Sequence, residues 1–547
     1  MQGNLHVQCE AGENPEIISK DYLLLYGATS TAILYLTLST LGFKVNYYIP
    51  HRIFDGYGLS EKIVDKIKEK YPDTNVIITC DNGIAAVDAV AYAKKQGYKV
   101  FVTDHHTPDM DNLPNADYII HPALPGYPFP HISGATVAYK VALGLLETFN
   151  VSDSELEEYL LQLAAISIVS DVMPVANKDV ELMKVNENRL ILQKGLESLR
   201  TKPNWRLNIM FDMMKIQSEM LDETTIGFYV APVINAVGRL DDAAEAVKFL
   251  TAETEDEAIL KSSIMAFLNE KRKEMKTEAL EMLKPTLCTT NPSIIVKSND
   301  IHEGIIGIIA GNLCEEYQKP AIVFAECKID GMKAWKASAR SIENVHLYEL
   351  LKEIKEEMPE VIYSFGGHAG AAGLTVLDEH IAEFEDVFNK KVDAFGNVEG
   401  EKYFSYILSS DVEAFAKALM EIKPLGEGLP KPLIKTTMFV NQYDFFYKSN
   451  HVKLSNCFKT ELWLYNSLEK FAADSKNMSG FDKTQDNTEK KMEELNISRR
   501  EAKNVRWERW ESKKGEKPLF DILAELDYGN FMNKLAPIYS VVEYQRR

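Results

Sequence analysis

Asp104, His105 and His106 place a carboxylate and two imidazoles at consecutive positions, the spacing in this sequence that best suits metal chemistry. They follow an apolar run at 100–102 that is typical of a strand. Carboxylate and imidazole together suit Mn²⁺, Zn²⁺ or Fe²⁺, and the lack of a neighbouring cysteine argues against a closed structural zinc site. The alternative is a polar loop with two solvated histidines, and so short a motif leaves both interpretations open.

Two further aspartates follow apolar segments in the same way. Asp81 comes after the β-branched run at 76–78, and Asp171 comes after the apolar segment at 163–169. A helical pattern separates Asp81 from the strand that ends at Asp104. Because the carboxyl ends of parallel strands share one edge of a sheet, where ligands bind, the spacing favours a metal cluster.

The elements that would position these residues alternate along the chain. Strands are predicted at 22–26 and 44–49, with helices at 28–41 and 60–70, which indicates a mostly parallel sheet covered by helices. A charged stretch at 253–284 without Gly or Pro predicts one long helix. We therefore predict an α/β protein with a parallel-sheet domain at 1–250, a linker helix at 251–285, a smaller α/β domain at 286–396, a small β-barrel at 397–470, and a polar linker with a C-terminal extension at 471–547.

Composition limits the class of protein. The chain has 547 residues, a net charge of −20 and six cysteines without a CxxC pair, so we expect a multidomain protein without a disulfide framework. No apolar stretch is long enough to span a membrane, so we expect a cytoplasmic protein without a membrane partner. The acidic charge argues against general adhesion to nucleic acid, but it leaves room for a local basic channel and suits divalent cations.

The C-terminal region carries one basic, aromatic segment. Residues 471–498 are polar and indicate a linker, and residues 499–517 are basic and contain Trp507 and Trp510. This pattern is compatible with binding of single-stranded nucleic acid, but we favour a solvated helix with both tryptophans packed beneath it.

The motifs in their order resemble the DHH phosphoesterase superfamily, and within it the RecJ-type exonuclease family. The resemblance covers about residues 20–470. The motifs that carry it lie at 81–84, 104–106, 170–174, at Arg52 with 56–59, and at 231–240, 302–307, 338–341, 366–369 and 423–428.

The resemblance implies a 5′→3′ exonuclease acting on single-stranded DNA with two Mn²⁺ or Mg²⁺ ions, in recombination and repair. Asp81 would bridge the ions, and His105 and Asp171 would hold the second. Asp104 and His106 would orient His105 or meet the phosphate. It also implies an oligonucleotide-binding (OB-like) identity for the barrel, a monomer, and a single-strand-binding protein or helicase as a possible partner.

A second set of residues is implied for the substrate. Arg239 would contact a phosphate in a bidentate manner, and Arg340 and His368 would hold the terminal phosphate. The remaining residues in this implied set are Asn235, His302, Gly304, Ser338, Gly366 and Gly367.

One motif of the family is missing. The family places aspartates in an Asp-x-Asp-x-Asp-Gly loop after its first strand, whereas here the apolar residues 22–26 run directly into Gly27. Asp21 lies at the wrong end of the predicted strand to replace them. Replacement by Asp55, Glu10 or Glu13 is conceivable, but the spacing of these residues does not recommend any of them. We therefore expect at most one tightly bound metal and an impaired exonuclease.

Two alternative functions remain open. A metal-poor relative could bind single strands, or serve as a replication scaffold, without cutting. A phosphodiesterase for short oligonucleotides or cyclic dinucleotides is the further alternative, although such relatives generally lack the β-rich third domain.

Overall fold

The structure is a computed structural model, and it describes residues 4–9, 23–50, 58–176, 186–329, 331–342, 345–395, 405–406, 412–440, 442–446, 451–455, 461–464, 481–486, 507–512, 519–531 and 534–546. The chain forms two compact units. The first comprises Met1–Gly400 with Gly426–Gly428, and the second comprises Glu401–Leu425 with Leu429–Arg547. The predicted domain boundaries at 250, 285, 396 and 470 stay predictions.

The first lobe of unit one is built on a parallel five-stranded sheet, as the alternation of elements predicts. Its order is β2-β1-β3-β4-β5, and every neighbouring pair is parallel. The strands are β1 (Asn4–Cys9), β2 (Lys44–Tyr48), β3 (Val76–Cys80), β4 (Lys99–Thr103) and β5 (Tyr118–Ile120). The helices are α1 (Leu23–Thr40), α2 (Glu61–Lys70), α3 (Val87–Lys95), α4 (Gly134–Thr148), α5 (Ser154–Ser170), α6 (Glu187–Thr201), α7 (Trp205–Met213), α8 (Ala231–Leu240) and α9 (Ala244–Leu250).

The predicted strand at 22–26 is wrong for the residues that the structure describes. Residues 23–26 form the first turn of α1, and Asn4–Cys9 supplies the strand between β2 and β3. A short apolar run without alternation fits a buried helix as well as a strand, and here the run continues into the apolar residues of the helix.

The second lobe follows the predicted long helix. α10 (Glu255–Leu283) is one continuous helix of 29 residues, and the Thr254 side chain caps its N-terminus. A mixed sheet with the order β6-β7-β8-β10-β9 comes next. The remaining elements of this lobe are β6 (Ile294–Ser298), α11 (Ile306–Tyr317), β7 (Ala321–Ile329), β8 (Met332–Arg340), α12 (Leu347–Glu357), β9 (Ser364–Gly367), β10 (Ala371–Leu377) and α13 (Ile381–Phe395).

Alternating side chains of β7 build two cores in this lobe. Ile322 and Phe324 pack with the apolar residues of α12 and α13, whereas Val323 and Ala325 pack with those of α11. Since successive side chains of a strand point to opposite faces, the sheet is covered on both sides. This arrangement fixes β8 and β9, the strands that carry predicted substrate groups in this lobe.

The predicted closed barrel at 397–470 is wrong for the part of unit two that the structure describes. It contains α14 (Val412–Ile422) and an open nine-stranded sheet in the order β11-β12-β18-β19-β15-β14-β13-β17-β16. The strands are β11 (Ser405–Tyr406), β12 (Leu433–Phe439), β13 (Gln442–Phe446), β14 (His451–Ser455), β15 (Glu461–Leu464), β16 (Phe481–Asp486), β17 (Trp507–Ser512), β18 (Leu519–Phe531) and β19 (Lys534–Arg546).

The C-terminal region supplies four of these strands, which explains why the sheet extends beyond the predicted barrel. β12 pairs with β18, and β13 pairs with β17. The predicted linker is therefore wrong at Phe481–Asp486, and the predicted helix is wrong at Trp507–Ser512. Long-range pairing overrides weak local preference in such segments. Among the helices that the structure describes, none has the length and apolar character to cross a membrane.

Candidate active site

Asp81 stands directly after β3 in a strained backbone conformation. Its φ is +61°, a left-handed value that Asp adopts more readily than most residues, and its amide donates to the Thr103 carbonyl at 2.8 Å. The side chain is buried against the first turn of α4. A Cβ on Gly134 would lie 2.0 Å from Asp81 Oδ1, so only glycine allows this approach of helix and carboxylate.

Asp104 follows β4, and its carboxylate organises the turn around it. Oδ1 accepts hydrogen bonds from the His105 and His106 amides at 2.7 and 3.2 Å, and it lies 2.7 Å from His106 Nδ1. Oδ2 accepts from the Ile84 amide at 2.9 Å. Burial opposes ionisation, but the His106 ring and these donors outweigh it and hold the pKa of Asp104 well below its usual range. Asp104 is therefore an ionised orienting group.

His105 lies between two carboxylates. Its Nε2 is 3.1 Å from Asp81 Oδ1 and 3.6 Å from Asp171 Oδ2. Burial would lower the pKa of His105, but the Asp171 and Asp81 carboxylates outweigh burial and raise the pKa. Asp171 caps the C-terminal end of α5, so it reaches the cluster from a helix rather than from a strand.

The cluster suits a cation. Asp81 Oδ1 and His105 Nε2 are buried and have no hydrogen bond of good geometry within the described structure. A carboxylate oxygen and an imidazole nitrogen that face each other in this way favour a positive charge at the site, which a proton on Nε2 or a bound cation supplies. His106 belongs to the same group, because Asp81, His105 and His106 offer ligand atoms within 4.8 Å of one another. The structure thus brings the sequence-predicted residues of this cluster together.

His121 is a candidate positioning residue that the sequence pattern did not single out. It directly follows β5, its Nδ1 accepts from the Ala123 amide at 3.1 Å, and its Nε2 donates to the His106 carbonyl at 2.7 Å. The ring is buried and its tautomer is fixed by these two bonds. The rule that found Asp81 and Asp104, a polar residue directly after a strand, would have found it as well.

We expect His121→Ala to weaken Mn²⁺ binding at least about tenfold, because outer residues that orient ligands typically contribute 10–100-fold to metal affinity. Calorimetric titration with Mn²⁺ measures this change. His380→Ala, in the second lobe, is the matched control and should leave the affinity unchanged. Equal affinities for the two variants would show that His121 does not orient the site.

The substrate groups at the junction of the two lobes also meet. Arg239 Nη1 donates to the Gly304 carbonyl at 3.4 Å, and a Cβ on Gly304 would lie 2.0 Å from the Arg239 carbonyl oxygen. His302 Nδ1 accepts from the Gly304 amide at 3.0 Å. Asn235 lies one turn before Arg239, and both polar atoms of its buried amide lack a hydrogen bond within the described structure.

The other predicted substrate residues lie on or directly after two strands, β8 and β9, which both pair with β10. Gly373 of β10 pairs with Ser338 on one side and with Gly366 on the other, and Ala372 pairs with Gly367. Arg340 Nη1 donates to Ser338 Oγ at 3.0 Å. His368 follows β9, and its amide donates to the Ala371 carbonyl at 2.8 Å, which places it beside the same strands.

Several candidates from the sequence lie outside the described residues. They are Glu10, Glu13, Asp21, Arg52, Asp55, Gly56 and Tyr57.

Comparisons with known proteins place the chain among nucleases. Residues 26–168 match the N-terminal domain of the DHH family, and residues 291–394 match the DHHA1 domain. The single-stranded-DNA-specific exonuclease RecJ of Haemophilus influenzae is 32% identical over 455 residues, which are 78% of this chain and 76% of that protein. RecJ of Bacillus subtilis is 34% identical over 78% of this chain, but the match spans only 53% of that relative.

Solved structures agree on the fold. RecJ of Thermus thermophilus in complex with Mn²⁺ has a TM-score of 0.71 at 19% identity and covers 100% of this chain and 69% of that one. A manganese-bound exonuclease RecJ has a TM-score of 0.57 at 25% identity, covering 72% of this chain and 90% of that one.

Proposed function

We propose, from the premise that this chain belongs to the RecJ family of single-stranded-DNA-specific exonucleases, that it releases nucleotides from the 5′ end of single-stranded DNA. The reaction would use a divalent cation and would serve recombination and repair. The observation that carries the proposal is the buried group of Asp81, His105 and Asp171, whose facing ligand atoms lie 3.1 and 3.6 Å from His105 Nε2.

These side chains fit Mn²⁺ or Mg²⁺. Asp81, His105 and Asp171 would hold the ion, with His106 close enough to join them. A bound ion would supply activation of a water and neutralisation of charge on the phosphoryl oxygens. The Asp104 carboxylate holds the backbone and ring of His106 in place, so the cluster keeps its geometry when substrate arrives.

The residues at the lobe junction would bind the strand. The Arg239 guanidinium can bind a phosphate in a bidentate manner, and its bond to the Gly304 carbonyl sets its direction. Ser338 and Arg340 on β8, and His368 directly after β9, would offer polar groups for the terminal phosphate. A site that holds the phosphates of only one strand would explain why single-stranded DNA is preferred over duplex DNA.

We expect Gly304→Ala to raise the KM for a single-stranded oligonucleotide about tenfold or more, with a smaller change in kcat. The added Cβ would meet the Arg239 carbonyl at 2.0 Å and force the two lobes apart, which misplaces the guanidinium. Gly311→Ala is the control, because a Cβ there meets nothing within 4 Å. Unchanged KM for Gly304→Ala would contradict the role of this contact.

A second candidate function follows from α1. The helix spans Leu23–Thr40 without a single carboxylate, so the element that follows the first strand adds no acidic ligand within its bounds. The chain could then bind single strands, or a replication partner, without cutting them. Strand binding without nucleotide release at saturating Mn²⁺ would establish this function instead.

Strands labelled at the 5′ or the 3′ end, incubated with the protein and Mn²⁺, distinguish the candidates. The proposal expects the 5′ label to be released first from single strands, with duplex digested far more slowly. Duplex digestion as fast as that of single strands, or strict 3′ polarity, would contradict it.

A further inference from the structure

The segment directly after Asp171 needs outside support. Val172 has a φ of +50°, a left-handed value that a β-branched residue rarely adopts. Within the helix end, the Met173 amide donates to the Ile168 carbonyl at 3.0 Å. A strained residue next to a candidate ligand persists only where the surrounding contacts hold it. The contacts that do so lie further along the segment, at 174–176.

Asn188 supplies the first support. Its side chain is fully buried, and its Nδ2 donates to the Pro174 carbonyl at 3.1 Å and to the His131 carbonyl at 2.7 Å. The His131 carbonyl begins the loop that leads to Gly134, the residue packed on the Asp81 carboxylate. One amide thus ties the segment after Asp171 to the loop that contacts Asp81.

Gly426–Gly428 supplies the second support, and we name this tripeptide the clasp. The Glu427 carbonyl accepts hydrogen bonds from the Val175 and Ala176 amides at 2.9 and 3.4 Å. Gly428 has a φ of +77°, and a Cβ there would lie 1.9 Å from the Ala176 carbonyl oxygen. Both the backbone conformation and the space therefore require glycine at position 428.

The clasp comes from a distant part of the chain. It belongs to the first compact unit, although the residues before and after it belong to the second. The contacts of the clasp with residues 175–176 explain why these three residues alone belong to the first unit. The sequence of the clasp, Gly-Glu-Gly, is small enough to let two backbones pair closely.

We propose that the clasp is a positioning element for Asp171, and that backbone pairing of Glu427 with residues 175–176 sets the affinity of the cation site. This inference rests on the proposed function in one respect, that the site binds a divalent cation. It assigns to a tripeptide of the first unit, far along the chain from Asp171, a role in positioning a residue of the metal site.

The test compares Gly428→Ala with Gly42→Ala in the full-length protein. Gly42 has a similar φ of +81°, but a Cβ there meets nothing within 4 Å, so it reproduces the backbone strain without the clash. Two quantities are measured: Mn²⁺ affinity by calorimetry, and hydrogen exchange of the peptide covering 168–176 in metal-free protein. We expect Gly428→Ala to weaken Mn²⁺ binding at least about tenfold and to speed that exchange. Gly42→Ala should change neither.

Two further variants keep the inference falsifiable. Gly426→Ala places its Cβ 3.4 Å from Val175 Cγ2, an ordinary contact, and should behave as wild type. If Gly428→Ala does not fold, Val175→Pro removes the amide that makes the shorter of the two hydrogen bonds to the Glu427 carbonyl, together with the Val175 side chain, and should give the same two changes. Wild-type exchange, or wild-type Mn²⁺ affinity, in the folded Gly428→Ala or Val175→Pro protein would overturn the inference. A wild-type protein that binds no Mn²⁺ would overturn the proposed function, whereas unchanged exchange would overturn the clasp separately.

Discussion

Asp81→Asn is expected to abolish tight Mn²⁺ binding and to slow strand hydrolysis by at least about a thousandfold. Asp81 Oδ1 faces His105 Nε2 at 3.1 Å, so the substitution removes the charge at the centre of the cluster. A cation contributes several kcal/mol to stabilisation of the transition state, and each 1.4 kcal/mol is a factor of about ten in rate. Calorimetric titration and release of labelled nucleotide measure the two effects.

Asparagine is the informative substitution at this position. Like aspartate it tolerates a positive φ, whereas alanine would add strain at the φ of +61°. Asp88→Asn, at an exposed site in the first turn of α3, is the matched control and should retain both properties. Retention of wild-type turnover by Asp81→Asn would exclude this cluster as the catalytic centre.

The second large effect concerns the number of cations. We expect one tightly bound Mn²⁺ per chain, because α1 carries no carboxylate and Asp104 is committed to His106 and backbone amides. Two unit charges 4 Å apart repel by about 4 kcal/mol at an effective dielectric constant near 20, and two divalent ions by about four times as much. Anionic ligands must offset this repulsion.

Grafting an Asp-x-Asp-x-Asp sequence directly before Gly27 should therefore add a second Mn²⁺ and raise turnover by orders of magnitude. Because residues 23–26 form the first turn of α1, the graft replaces this turn and leaves the helix from Gly27 onward intact. Metal content of the dialysed protein, measured by elemental analysis, gives the stoichiometry. Two tight sites in the unmodified chain would mean that another carboxylate completes the pair.

The meeting of Asp81, Asp104 and His105 at one sheet edge could be predicted from the sequence because its signals are local. Asp81 and Asp104 each follow a short apolar strand, and parallel pairing of β3 with β4 brings the two ends together. The helix Glu255–Leu283 was predictable for the same reason, since its charged pattern contains no helix breaker. His121 obeys the same rule after β5, but its role depends on a bond to the His106 carbonyl.

Other features depend on contacts between distant residues, which no local pattern records. β1 lies between β2 and β3 although its own sequence is short and polar at several positions. The left-handed Gly428 is understandable only from the Ala176 carbonyl that it approaches. In the sheet of unit two, β12 pairs with β18, which lies about 80 residues further along the chain. The barrel predicted at 397–470 therefore left out the strand with which β12 pairs.

Anomalous diffraction from crystals soaked in Mn²⁺ tests the central claim most directly. We expect one strong manganese peak in contact with Asp81, His105 and Asp171, and its loss in Asp81→Asn crystals. A peak elsewhere in the molecule, or none among these three side chains at saturating Mn²⁺, would contradict the assignment of this cluster as the catalytic metal centre.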